Sequence, residues 1–242
     1  VLSILDNIMQ HIEKNGIACF KLGFVGNGEP FMDYAKRKAY ILHISDYLKS
    51  GKIAAYTITN GLMIDRDKLE FLKEYSVTVG FSIDGFEALH NKYRCNSWAT
   101  VMEKIELYRD VFGGYPSLNC TVGKDSMEFR DKVIEFFLPF DTKITFSRMM
   151  GKYGIPQETF QEFLDAAKKR LQVRTGGYDC TMYGGLCGAG MNNIFYANGQ
   201  IYICGNCIDL EQSFPAETPL DKIQFGVGEF DRSRCYKEVS AK

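Results

Sequence analysis

The chain carries eight cysteines: Cys19, Cys95, Cys120, Cys180, Cys187, Cys204, Cys207 and Cys235. Five of them lie after residue 179, and it is this crowding that points to chemistry. A chain of 242 residues can bury a core without disulfide staples. The opening VLSILDNIMQHIEK lacks the basic n-region of a secretion signal, so clustered thiols read as metal or redox chemistry rather than disulfides. Six residues of a Gly-rich loop separate Cys180 from Cys187, and Cys204 with Cys207 forms C-x-x-C. Four thiolates gathered by a loop and a hairpin suit Zn²⁺ or an iron–sulfur cluster, and spacing alone leaves both metals open. Cys19, Cys95 and Cys120 read as inert, buried thiols.

A second group of residues sits at strand ends, where parallel α/β folds place ligands. Gly26-Asn27-Gly28-Glu29-Pro30 follows the first strand, Thr59-Asn60-Gly61 the second, and Ser82-Ile83-Asp84-Gly85 the third. The fourth strand carries Asn119 and Thr121, and the fifth ends in Ser147-Arg148. Turns between strand and helix favour Gly, Asn and Asp for conformational reasons, which accounts for part of the pattern but not for Glu29. A dinucleotide loop would need glycine where Phe31 stands, and Pro30 removes an N–H where a phosphate would seek one. A carboxylate there suits an ammonium group instead. The three histidines, His11, His43 and His90, form no nucleophilic triad or zinc motif.

The elements that must position these groups alternate between helical and strand periods. VLSILDNIMQHIEK places Leu2, Leu5, Met9 and Ile12 on one helical face, and the strand IACFKLGFV follows. A helix over 33–49 turns Ala35, Ala39, Leu42 and Leu48 inward and leads to IAAYTIT. Asp65 caps a helix with Leu69 and Leu72 inward before VTVGFSI. Ser97 caps the helix of Trp98, Val101, Ile105, Tyr108 and Phe112 before SLNCTV. Asp125 with Glu128 predicts a capping box for the helix of Phe129, Val133 and Phe136, which Pro139 stops before KITF. Apolar strands alternating with helices predict a parallel sheet in an α/β fold, as a βα barrel or a doubly wound sheet. After Gly176 the composition turns Gly- and Cys-rich, and Asn198-Gly199 in IFYANGQIYIC is a type I′ hairpin turn. We expect residues 1–150 to form the barrel-like domain, 151–175 a helical bridge and 176–242 a small Cys-rich β-hairpin domain.

Charge and hydropathy bound the partners. Lys plus Arg number 29 against 30 for Asp plus Glu, so no basic field exists to hold nucleic acid or an anionic membrane. No apolar run reaches the ~18 residues that span a bilayer. A cytoplasmic setting is expected.

Taken in order, these motifs resemble the radical S-adenosylmethionine (SAM) enzymes with a C-terminal SPASM-type extension. Asn27-Gly28-Glu29-Pro30 stands where that family has Gly-Gly-Glu-Pro, Thr59-Asn60-Gly61 is similar to its later Thr-Asn-Gly, and FSIDGFEALHNKYR to its Ser-Ile-Asp-Gly…His…Arg stretch. Cys187, Gly199 and Cys204 satisfy the Cys…Gly-x4-Cys spacing of the extension. The resemblance implies a partial (βα)6 TIM-like barrel plus a truncated SPASM-like iron–sulfur domain. It implies that Gly28 and Glu29 hold the SAM amino group with Asn27 in the same SAM site, that Ser82 and Asp84 face its ribose and methionyl part, that Arg94 meets its carboxylate, and that Asn60 lines the same pocket. Cys180, Cys187 and Cys204 would bind an auxiliary [4Fe–4S] cluster, with Cys207 or Cys235 as the fourth ligand. Within the family the Cys-rich segment looks most like maturases of Cys-containing ribosomal peptides. The partners implied are a precursor peptide substrate and an electron donor such as flavodoxin or ferredoxin.

One departure bears on activity. No three of the eight cysteines show the C-x3-C-x2-C spacing of the family's catalytic cluster. The chain therefore reads as a piece cut at both ends, an oxidoreductase by resemblance and inactive alone. A radical SAM peptide maturase, crosslinking a Cys-containing peptide after reductive cleavage of SAM, is the first expectation. A non-catalytic barrel with a zinc- or cluster-stabilised module that binds a peptide is the alternative.

Overall fold

The computed structural model describes residues 1–25, 28–149, 151–174, 194–205 and 213–223. Five parallel strands form the main sheet: β1 (Phe20–Phe24), β2 (Ile53–Thr59), β3 (Thr78–Ser82), β4 (Ser117–Val122) and β5 (Ile144–Arg148). Their spatial order is their chain order, β1-β2-β3-β4-β5, as in the arc of a βα barrel. The intervening helices are α1 (Leu2–Asn15) ahead of β1, α2 (Tyr34–His43) and α3 (Ser45–Lys49) before β2, α4 (Arg66–Glu74) before β3, α5 (Glu87–Tyr93) and α6 (Trp98–Phe112) before β4, and α7 (Lys124–Glu128) and α8 (Arg130–Phe137) before β5. This is the expected α/β partial barrel. A sixth pairing is present in outline, where Ile144 bridges Val173 in parallel through Ile144 N–H to Gln172 O and Arg174 N–H to Ile144 O, both 2.9 Å. Between them α9 (Gln157–Lys168) buries Phe160, Phe163 and Leu164, with Phe163 edge-on to Phe146 at 4.9 Å.

The strands are amphipathic rather than apolar throughout. In β4, Leu118, Cys120 and Val122 are buried while Ser117, Asn119 and Thr121 are half-exposed, and β5 alternates likewise. One face of the sheet thus packs against helices, as Phe81 does edge-on to Tyr108, while the other is polar. In register, that second face carries Gly23 beside Tyr56, Ile58 beside Gly80 and Ser117, Ser82 beside Asn119 and Thr145, and Thr121 beside Ser147. A sheet buried on both sides would have apolar residues in both sets; here only one set drives collapse.

Several local expectations are corrected. The 33–49 helix breaks at Ile44, and it buries Ile41, Ile44 and Leu48 while Ala35, Ala39 and Leu42 face solvent. Larger side chains set the inward face, one position from the alanine row. In α1 the buried apolar set is Ile4, Leu5, Ile8 and Ile12, and Leu2 is exposed. The 125–137 segment is two helices; Phe129 at their junction is exposed, and the cap is Gly123, whose N–H donates to Ser126 Oγ at 3.2 Å. Asp65 caps α4 as expected, accepting from Lys68 N–H at 3.0 Å. Cys120 is buried, whereas Cys19 and Cys95 are exposed. Among the described residues no helix is long and apolar enough to cross a membrane.

A second, antiparallel sheet joins β6 (Phe195–Ala197), β7 (Gln200–Tyr202) and β8 (Ser213–Pro215). Asn198 (φ 50°) and Gly199 (φ 79°) make its turn, since a type I′ turn needs positive φ at both central residues. The chain leaving this sheet docks on α1. Buried Asn7 donates from Nδ2 to Ala216 O (3.1 Å) and to Thr218 O, and Lys14 pairs with Asp221. Because two carbonyls depend on one amide, Asn7→Ala should lower stability by about 1–3 kcal/mol, read as the shift in urea midpoint. Exposed Lys14→Ala should leave the midpoint nearly unchanged.

Candidate functional site

The polar face of the sheet and the loops at the carboxyl ends of its strands form the candidate site. Gly28 has φ +138°, a region glycine alone enters readily, and it leads the chain into Glu29. The Glu29 carboxylate is fixed on two sides. Oε1 accepts from Thr59 Oγ1 (2.7 Å) and Phe31 N–H (3.3 Å), and Oε2 accepts from Asn60 N–H (2.8 Å). A carboxylate has about four acceptor sites, so among the described residues one on Oε2 is left over. Thr59 serves both loops, because its Oγ1 also accepts from Gly61 N–H at 2.9 Å. Asn60 contributes its backbone, while its Oδ1 folds onto Leu62 N–H at 2.9 Å. Behind this corner the Arg37 guanidinium lies over the Phe24 ring at 5.1 Å. Burial lowers its pKa, and Tyr40, Asp33 and Glu29 oppose that shift.

The loop after the third strand holds an ion pair between Asp84 and Arg94, the residue that ends α5. Ser82 ends β3 on the polar face, paired with Asn119. Asp84 is buried at 4% exposure and accepts from three donors: Thr121 N–H on β4 at 2.8 Å, Arg94 Nη2 at 3.2 Å, and Arg94 Nε. Its own N–H donates to His90 Nδ1 at 3.2 Å, and His90 Nε2 meets Ser97 Oγ at 2.9 Å. An imidazole that accepts at Nδ1 is neutral and carries its proton at Nε2, so His90 donates to Ser97. Burial, opposed by Asp84 and aided by Arg94, pushes the His90 pKa down to about 4. Ser97 is therefore spent on His90 rather than on capping α6. The first N–H of that helix goes to Asn91 Oδ1 at 3.0 Å, and the Trp98 indole donates to Gly85 O at 3.2 Å.

Of the predicted SAM-site residues, Gly28, Glu29 and Asn60 meet at the β1–β2 corner, and Ser82, Asp84 and Arg94 at the β3–β4 corner. Asn27 lies outside the described residues, as do Cys180, Cys187, Cys207 and Cys235. Cys204 is half-buried just after β7. Sequence reasoning gave Thr59 no role of its own within its motif, read Ser97 only as a helix cap, and passed over Asn91. Thr59 and Ser97 are buried hydroxyls beside motif residues, and a hydroxyl the core could have replaced by an apolar group is the signal that marks them.

Two glycines keep the polar floor open. A Cβ on Gly23 would lie 2.7 Å from the Tyr56 ring, and one on Gly80 would lie 2.8 Å from Asn119 Nδ2. Tyr56 and Asn119 thus lie across their neighbouring strands.

Comparison with known proteins bears on the family and the fold. The model of the radical SAM superfamily matches residues 3–137. The cysteine-type anaerobic sulfatase-maturating enzyme of Clostridium novyi (strain NT) is 26% identical over 165 residues, covering 65% of this chain and 44% of that protein. Its namesake from Clostridium perfringens (strain 13 / Type A) is 23% identical over 237 residues, covering 83% and 63%. The chain thus spans roughly half to two thirds of the length of these curated relatives. Among solved structures, native anSMEcpe with bound AdoMet superposes with a TM-score of 0.68 at 19% identity, covering 99% of this chain and 74% of that one. The same protein with bound AdoMet and Cp18Cys peptide gives 0.69 at 19%, covering 99% and 75%. These structures establish the shared fold.

Two outcomes follow from the hydrogen bonding. Thr59→Val removes a donor to Glu29 and leaves Gly61 N–H without its acceptor, so stability should fall by about 1–3 kcal/mol. Thr59→Ser keeps both bonds and should recover most of that loss in a denaturant titration. For His90 the folded pKa lies below the unfolded value, so the unfolded state binds more protons between the two. Stability is then full above about pH 6.5 and declines as pH falls toward about 4. Wild type should lose about 2 kcal/mol more than His90→Gln between pH 7.5 and 5, measured as urea midpoints at each pH.

Proposed function

The chain belongs to the radical SAM superfamily, and on that basis we propose that it binds SAM across the carboxyl ends of β1–β3 and serves the modification of a Cys-containing peptide. One observation carries this reading. Among the described residues, a fixed carboxylate with one acceptor site left over, Glu29, stands at the β1–β2 corner, and a guanidinium with an unused edge, Arg94, stands at the β3–β4 corner. Two strand spacings, roughly 10 Å, separate the strands that precede them, a span side chains of this length can close on a zwitterion. The α-amino acid part of SAM is such a zwitterion, and the residues present fit it.

When bound beside a reduced iron–sulfur cluster, SAM supplies one-electron chemistry that can take a hydrogen atom from carbon. The roles of the protein's own groups are binding and orientation. Glu29 would accept a charge-assisted hydrogen bond from the ammonium, with Thr59 and Asn60 N–H fixing its direction. Arg94 would pair with the carboxylate, and Ser82 with Asn119 would line the floor toward the ribose. Cys204, with Cys180, Cys187 and either Cys207 or Cys235, would hold an auxiliary [4Fe–4S] cluster in a SPASM-type module over 176–242. The relatives' designation as cysteine-type maturases and the bound Cp18Cys peptide of a structural neighbour support a peptide substrate. Crosslinking is the modification we favour, with a flavodoxin or ferredoxin as electron donor in the cytoplasm.

The absence of C-x3-C-x2-C among the eight cysteines favours a second reading, in which the barrel binds a peptide without catalysis. Anaerobic reconstitution separates the two. Under the first, this chain takes up about four irons with matching sulfide, and the full-length protein cleaves SAM under reduction. Glu29→Gln should weaken SAM binding by about 10–100-fold, the range of a charged hydrogen bond. About one zinc and no sulfide, with no SAM cleavage by the full-length protein, would leave only the second.

A further inference from the structure

We infer that Asp84 is a positioning residue that acts on the ligand only through Arg94, setting which edge of the guanidinium the site presents. The inference rests on the SAM reading above and refines it, since the SIDG motif by itself suggests Asp84 as a direct contact.

The Asp84 carboxylate is already committed. Oδ1 accepts from Thr121 N–H (2.8 Å) and Arg94 Nη2 (3.2 Å), and Oδ2 accepts from Arg94 Nε. At 4% exposure little of it is left to meet a ligand. The pairing is side-on, through Nε and Nη2. A guanidinium has five N–H donors in a rigid fork, so side-on capture leaves the end-on edge of Nη1 and Nη2 without a partner among the described residues. The Arg94 side chain retains 27% exposure against 5% for Asp84, so what remains accessible belongs to the arginine. End-on is the edge that receives a second carboxylate in bidentate fashion.

Asp84 is itself anchored from three directions. Thr121 N–H fixes the carboxylate to β4, His90 Nδ1 fixes the backbone N–H, and Ser97 fixes His90. The loop also closes on itself, with Arg94 N–H to His90 O at 2.9 Å and Ser97 N–H to Arg94 O at 3.2 Å. A long arginine side chain loses much rotamer freedom when it is fixed in one direction. Holding one edge against a buried acid removes much of that cost before any ligand arrives, which is preorganisation. Asp84 also neutralises Arg94. A lone guanidinium would attract any anion, whereas the pair offers a directed fork and selects a planar carboxylate.

Equilibrium binding to the full-length protein separates this role from direct contact. The ligands are SAM and decarboxylated SAM, which keeps the amine and lacks the carboxylate. Asp84→Asn should weaken SAM by about tenfold, the scale of one charged hydrogen bond, leave decarboxylated SAM unchanged, and have no further effect in an Arg94→Gln background. Equal loss for both ligands, or additivity with Arg94→Gln, overturns the inference. A ligand-free readout covers a variant that folds poorly and a protein that binds no SAM. In wild type the Arg94 Nε–H should exchange with solvent at least about tenfold more slowly than in Arg94-containing Ser97→Ala or Asp84→Asn proteins. Unprotected Nε–H in wild type overturns the positioning role. Protected Nε–H without SAM binding removes the SAM reading while Asp84 still orders Arg94.

Discussion

The site is organised around one buried anion. Asp84 sits where the β3–β4 ladder ends, just past Ile83 N–H to Asn119 O at 2.9 Å, and takes the next β4 donor, Thr121 N–H. It therefore extends strand pairing by a side chain and opens the sheet edge at the height where a ligand would lie. A buried ion pair is seldom a net source of stability, because desolvation offsets attraction, yet removing one partner costs about 3–5 kcal/mol. Such a pair defends an arrangement more than it adds to a fold. That arrangement is the Arg94 fork, and His90, Ser97 and the α5–α6 turn are built to hold it.

Glu29 is anchored by different means. No cation pairs with it in a salt bridge among the described residues; neutral donors hold it instead, two of them from the Thr59-Asn60 turn of the neighbouring strand. The contrast is physically sensible. Under the proposed reading, an acid that receives a cationic group needs its direction fixed but no ion pair of its own, and the neutral donors provide that. A guanidinium on a long stem needs a partner to have any direction at all. The two corners thus answer the same requirement, a charged group with one orientation, by the means each side chain permits.

Much of this was legible in the sequence, and the gaps have causes. The strands IAAYTIT and SLNCTV coincide with β2 and β4, and the motifs at their ends mark both corners, because turn chemistry and hydrophobic period are local. Helix facing was less legible. In 33–49 small alanines form a plausible stripe, but burying Ile41, Ile44 and Leu48 removes more apolar surface from water. Capping failed at Ser97 and Asp125 because both side chains have distant partners, His90 for one and Lys92 with Tyr93 for the other. Sequence spacing ranks a local cap first and has no access to a competitor brought in by the fold.

The same competition explains why the polar face survives in a protein whose strands must also drive folding. Each strand spends alternate residues on the helix layer, where Val79, Phe81, Leu118, Val122, Ile144 and Phe146 are buried at 2% exposure or less. The other set is then released from packing duty. Gly23 and Gly80 go further, giving up side chains so that Tyr56 and Asn119 can lie across the sheet. Glycine in a strand weakens it, so its presence twice on one face is explained by what rests there, not by the sheet. Among the described residues the strands bury their apolar side chains toward the helices, and that division of labour frees the inner face for Ser82, Asn119, Thr121 and Ser147 to be polar.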